Sequence, residues 1–141
     1  MFGQFDENGG GFPGPAPHDR VDALGAVDAR LLWAIRRLAL MQPIGAARCH
    51  AVHIALQQDF GDQGLGIEHL LRCILVGLSR SASRRLALGW PGCGLVTPDE
   101  TMLLALLGGT AGPTALARLT GTAEAATLLP LFAAVAALAQ K

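Results

Sequence analysis

Apolar side chains recur along this chain at spacings of three and four. In RLLWAIRRLALM, Leu31, Leu32, Ile35, Leu38 and Ala39 fall on one side of a helix. Arg30 and Arg37, one heptad apart, fall on the other. Asp19, Asp22 and Asp28 each offer a capping side chain near its start. Pro43 ends this helix and can open the next. IGAARCHAVHIALQQDFG reads as a second helix, closed by Gly61 in a loop GDQGLG. A third helix is predicted from near Ile67, where Ile67, Leu70, Leu71, Ile74, Leu75 and Leu78 make a core-facing stripe.

Past Leu88 the pattern stops in GWPGCGLVTP, a loop of turn residues with room for a short extended piece. TPDE then announces a fourth helix: Thr97 caps, Pro98 takes the first helical position and Glu100 completes a capping box. TMLLALLGG ends at its glycines, a short helix follows from Pro113 to Leu119, and Gly121 closes it. A last helix is predicted from Thr122 almost to Lys141. Its segment AATLLPLFAAVAALA has 15 residues without a charge. That falls short of the roughly 20 apolar residues of a membrane span, so no span is expected.

Composition agrees with helix. Half of the 141 residues are hydrophobic, with five Phe, two Trp and no Tyr, and Ala and Leu, both helix formers, dominate. The expected fold is all-α, a single compact bundle of five or six helices over residues 19–141. The first 18 residues, rich in Gly and Pro, are expected to form a flexible tail that Phe2, Phe5 and Phe12 can pin to the body. They have neither a basic nor an apolar leader region, so they do not read as a secretory signal. The three cysteines are scattered, which suggests reduced thiols in a cytoplasmic protein.

The formal net charge is zero. Charge is uneven all the same: residues 30–88 hold eight arginines against Asp59, Asp62 and Glu68. No aromatic residues interleave with them as single-strand binders require, and no nucleic-acid partner is expected. Arg80, Arg84 and Arg85 are candidates for binding an anion.

Two Cys/His pairs carry the sharpest chemical suggestion. Cys49 with His53, and His69 with Cys73, each stand four residues apart on a predicted helix. Facing each other they would make a tetrahedral Cys2His2 zinc set, with His50 nearby. The simpler reading makes Cys49 and Cys73 small core residues and His50 with His53 a polar outer face. Cys93, between Gly92 and Gly94, is a possible thiol nucleophile, but no acid or amide is placed to orient a base. Trp33 and Trp90 read as core anchors.

Taken together, RLLWAIRRLALM, ARCHAVHIAL and SRRLALGWPGCGLVTPDETMLLALL resemble an uncharacterised family of small alphaproteobacterial proteins of unknown function. The resemblance covers roughly residues 30–107. In that family a helix of the form LLxxAxRR leads to a His-bearing helix, and a basic helix runs into a Pro- and Cys-containing loop before MTxDEAxLL. Where relatives carry several adjacent cysteines before that last helix, this chain has only Cys93. The resemblance implies organisation and no activity.

Two classes of function follow. The first is a non-enzymatic interaction or regulatory protein, acting as a homo-oligomer or by docking on a partner protein. Leu128, Phe132 and Val135 of the uncharged last helix are its candidate interface, and a two-fold dimer is its expected form. The alternative is a metal- or anion-binding helical module built on the Cys/His pairs. No cofactor is expected on the first reading, and zinc is the candidate ion on the second.

Overall fold

A computed structural model of the chain describes residues 2–5, 20–41, 43–44 and 48–140. Six α-helices lie among them: α1 (Ala26–Ala39), α2 (His50–Phe60), α3 (Gly64–Ser81), α4 (Pro98–Leu107), α5 (Pro113–Thr120) and α6 (Leu129–Ala139). Short 3-10 turns at Val21–Ala23, Gly61–Gln63 and Ala123–Leu128 join or precede them. The class is all-α, as the periodicities predict. No helix among the described residues is long and apolar enough to cross a membrane.

The core forms where the predicted stripes meet. Ile67, Leu71, Ile74, Leu75 and Leu78 of α3 are buried, with Leu31, Leu32, Ile35 and Leu38 of α1 in the same cluster. Helix α3 is central and packs against α1, α2 and α6. Helix α4 closes the other side against α1, α5 and α6.

Helix α3 begins earlier than its stripe suggests. All of GDQGLG is helical, a 3-10 turn running into α3 at Gly64. A Cβ on Gly64 would lie 2.7 Å from the carbonyl carbon and oxygen of Leu56. This glycine therefore serves a backbone-to-backbone crossing of α2 and α3, not a loop. Gly61, at φ 60°, makes the left-handed turn between them. Gly64→Ala is expected to cost about 1–3 kcal/mol by overpacking, measured by urea denaturation.

The last helix is split. A 3-10 turn, Ala123–Leu128, precedes α6. Pro130 has no N–H to give to the carbonyl of Ala126. The amide of Leu129 bonds that carbonyl instead, a three-residue reach that tightens the turn.

GWPGCGLVTP begins at the end of a short strand, Leu86–Gly89 (β2). It pairs in parallel with Phe2–Phe5 (β1), Phe2 opposite Leu86 and Phe5 opposite Gly89. This part of the Gly/Pro-rich tail is thus ordered as a strand. Residues 6–19, with Phe12 and the remainder of the expected flexible tail, lie outside the described residues. So do residues 45–47, at the expected start of the second helix.

The opposite edge of β2 is completed by side chains of the α4 cap. The Ala87 amide donates to Asp99 Oδ2 at 2.7 Å, and the Gly89 amide donates to Glu100 Oε2 at 2.8 Å. The Thr97 hydroxyl donates to the Ala87 carbonyl at 2.7 Å. TPDE therefore does two jobs. It makes the capping box, and it takes the place of a neighbouring strand, satisfying polar backbone that is otherwise orphaned.

Candidate functional site

Three polar clusters stand out, and the first is wholly interior. Arg36 of α1 is 2% exposed and Glu100 of α4 is 0% exposed. Arg36 Nε donates to Glu100 Oε2 and Nη2 to Oε1, each at 2.8 Å. The guanidinium also donates to the carbonyls of Cys93 and Leu95, both at 2.7 Å. Glu100 Oε1 accepts from the Thr97 amide at 2.9 Å. A Cβ on Gly89 would lie 2.8 Å from Arg36 Nη2, so glycine leaves room for the flat guanidinium. With its charges paired and its carboxylate fully bonded, this cluster ties α1, the 89–97 loop and α4 together. Its chemistry is structural.

The second cluster joins α2 and α3. The Glu68 side chain is 0% exposed. Its Oε1 accepts from Arg48 Nε at 3.2 Å and Nη2 at 2.9 Å. Arg48 Nη2 also lies 2.7 Å from His53 Nδ1. Arginine has no acceptor atom, so Nδ1 is the acceptor in this arrangement. Glu68 Oε2 has no hydrogen-bond partner among the described residues.

That cluster explains why the Cys/His pairs do not converge. Residues 68 and 69 point about 100° apart around a helix. Glu68 turns inward to Arg48 and His53, and His69 turns outward, where its Nε2 lies 3.6 Å from Cys73 Sγ. Cys49 is the residue before α2 and is half-buried, while His50 is exposed. Among the described residues, no group of three or more His, Cys, Asp or Glu side chains is placed to hold a metal ion. The candidate residues Cys49, His53, His69 and Cys73 are thus not brought together among the described residues.

The third cluster follows from that outward turn. A groove of about 300 Å³ runs along the outside of α3, lined by His69, Arg72, Cys73, Val76, Gly77 and Arg80. These residues repeat at i, i+3, i+4, i+7, i+8 and i+11, one continuous stripe. Of the anion candidates, only Arg80 reaches it. Arg84 is committed elsewhere, to both oxygens of Asp99 at 3.1 and 3.2 Å and to the Leu119 carbonyl. Arg85 is exposed in the turn before β2. The i, i+4 spacing pairs His69 with Cys73 in the sequence, while the side of α3 that stays outside the core is what adds Arg72 and Arg80 to them.

The remaining expectations need correction. Phe132 is 1% and Val135 0% exposed in the single chain, with Leu128 packed against the same core. Buried under α3 and α4, Phe132 and Val135 cannot be an interface between chains. Trp90 is half-exposed and does not anchor the core, while Cys93 is buried. Trp33, by contrast, is partly buried and packs against the core as expected, its ring flanked by the Arg30 and Arg37 guanidiniums at 5.0 and 5.4 Å.

A shallow groove of about 440 Å³ opens where α1, α4 and α6 meet, lined by Val27, Asp28, Leu31, Leu107, Ala136 and Ala139 among others. Its walls are mainly apolar. Helix α6 has no charged residue along its eleven positions, and Pro130, Ala133 and Ala137 stand exposed on its outer side. No family model matches the chain, and no curated protein or solved structure matches it either.

Proposed function

We propose that this is a non-enzymatic helical interaction protein that pairs with a second copy of itself through the outer side of α6. The observation that carries the reading is that face. A helix turned toward water normally presents polar side chains there. This one presents Pro130, Ala133 and Ala137, and the apolar groove beside it continues the surface onto Val27 of α1. Small side chains let two helices approach closely, and a two-fold axis brings one such face onto its own copy. The interface expected from the sequence thus moves half a turn around α6, away from Phe132 and Val135. The cytoplasm suits the reading, because three free cysteines persist where thiols stay reduced.

Light scattering on the purified chain at tens of micromolar tests the proposal. A dimeric mass is expected. Ala133→Glu places a charge in the centre of the face and is expected to give a monomer with an unchanged helical circular dichroism spectrum. A monomeric mass for the unaltered chain would overturn the reading.

A further inference from the structure

We propose that the β1 edge of β2, with Trp90 beyond it, is a docking site for an extended apolar segment of a partner protein, which β1 fills as a displaceable stand-in. The acceptor strand is held in place without β1. One edge of β2 is fixed by the α4 cap through Asp99, Glu100 and Thr97. Alternation along the strand turns the polar backbone of Leu86 and Leu88 to the opposite edge, where β1 lies. With β1 withdrawn, that edge presents a row of open donors and acceptors, a template for adding a strand.

β1 is a weak occupant. It spans four residues and packs substantially against β2 alone. It also pairs in parallel, the less stable arrangement per residue. Residues 6–19 tether it to the body. Its occupancy rests largely on that tether, since a short flexible linker gives a local concentration on the order of millimolar.

Trp90 marks where a stronger occupant gains. It follows Gly89 directly and is 50% exposed. β1 ends opposite Gly89, and in sequence it continues as Asp6, Glu7 and Asn8, which offer an indole little apolar surface. A partner segment in the same register and direction, with apolar residues past this point, covers the ring. Tryptophans covered on association are frequent centres of binding energy. Backbone pairing therefore sets the register, and Trp90 selects an apolar continuation over an acidic one.

Fluorescence anisotropy with two labelled peptides and the full chain tests the proposal. FGQFDEN copies residues 2–8, and FGQFLVN carries Asp6→Leu and Glu7→Val. FGQFLVN is expected to bind the unaltered chain, and FGQFDEN to bind it about tenfold more weakly. Gly3→Pro in the chain removes an amide that alternation turns toward β2. It is expected to tighten both peptides about tenfold, with an unchanged helical circular dichroism spectrum. Trp90→Ala is expected to lower the affinity of FGQFLVN to that of FGQFDEN. An Ala133→Glu background keeps each measurement independent of self-association. Failure of FGQFLVN to bind the unaltered chain would overturn the proposal. So would equal affinity for the Gly3→Pro and unaltered chains, since the peptide would then lie elsewhere. Undiminished binding to Trp90→Ala would overturn it as well, and that comparison needs no folded Gly3→Pro chain.

Discussion

Replacing Arg36 with Ala is expected to destabilise the protein by about 3–5 kcal/mol, seen as a lower urea midpoint at unchanged slope. The magnitude comes from what is left behind. Glu100 remains with no exposure to water, and its counter-charge is gone. The Cys93 and Leu95 carbonyls lose their donor at the same time. A buried charge without a partner costs far more than the pair itself contributes. Joint replacement, Arg36→Met with Glu100→Leu, is expected to recover only part of the loss. Removing both charges ends the desolvation problem, but the Gly89 and Thr97 amides lose the acceptor that Glu100 supplied. A loss below about 1 kcal/mol for Arg36→Ala would mean that water reaches the pair, as at an exposed salt bridge.

Phe132→Glu is expected to unfold the chain, with loss of the helical circular dichroism signal at room temperature. The ring is 1% exposed, and loss of a buried Phe alone costs about 3–5 kcal/mol. The introduced carboxylate meets no cation in the surrounding core cluster, whose members are all apolar. Together these approach the roughly 5–15 kcal/mol that holds a typical domain folded. One position further along, Ala133 is exposed, and the same charge there faces water. The two variants therefore separate core from interface on a single helix. A folded Phe132→Glu chain would place that ring at the surface.

Elements with a strong local period were readable before the structure. The stripes of α1 and α3 and the capping box at Thr97 are set by residues within one or two turns of each other. What escaped was set by partners far away in the chain. Arg36 looked like one more residue of a basic stretch, because its match, Glu100, lies 64 residues on. Gly64 looked like a loop residue, because only the crossing with Leu56 explains it. Pro130 was visible, but its effect on the preceding turn depends on one missing amide. The candidate site was half readable. Cys73 and His69 were paired by spacing, yet their orientation away from His53 was decided by the burial of Glu68 between them. The apolar character of α6 was plain from composition, whereas which side faces the core was not, since both sides are apolar.

The double-sided bonding of β2 has a consequence for the order of folding. Strand alternation turns the amides of Ala87 and Gly89 toward α4, where Asp99 and Glu100 receive them within a dozen residues of chain. Leu86 and Leu88 turn to the other edge, where β1 pairs from the far end of the sequence. Closing so long a loop carries a large entropic penalty and no early reward. The α4 edge is therefore a fast, local contact, and the β1 edge joins after the bundle has formed. Hydrogen exchange is expected to resolve the same strand into two populations. Every second amide opens with release of the N-terminal strand, and the alternate ones open only with the whole protein.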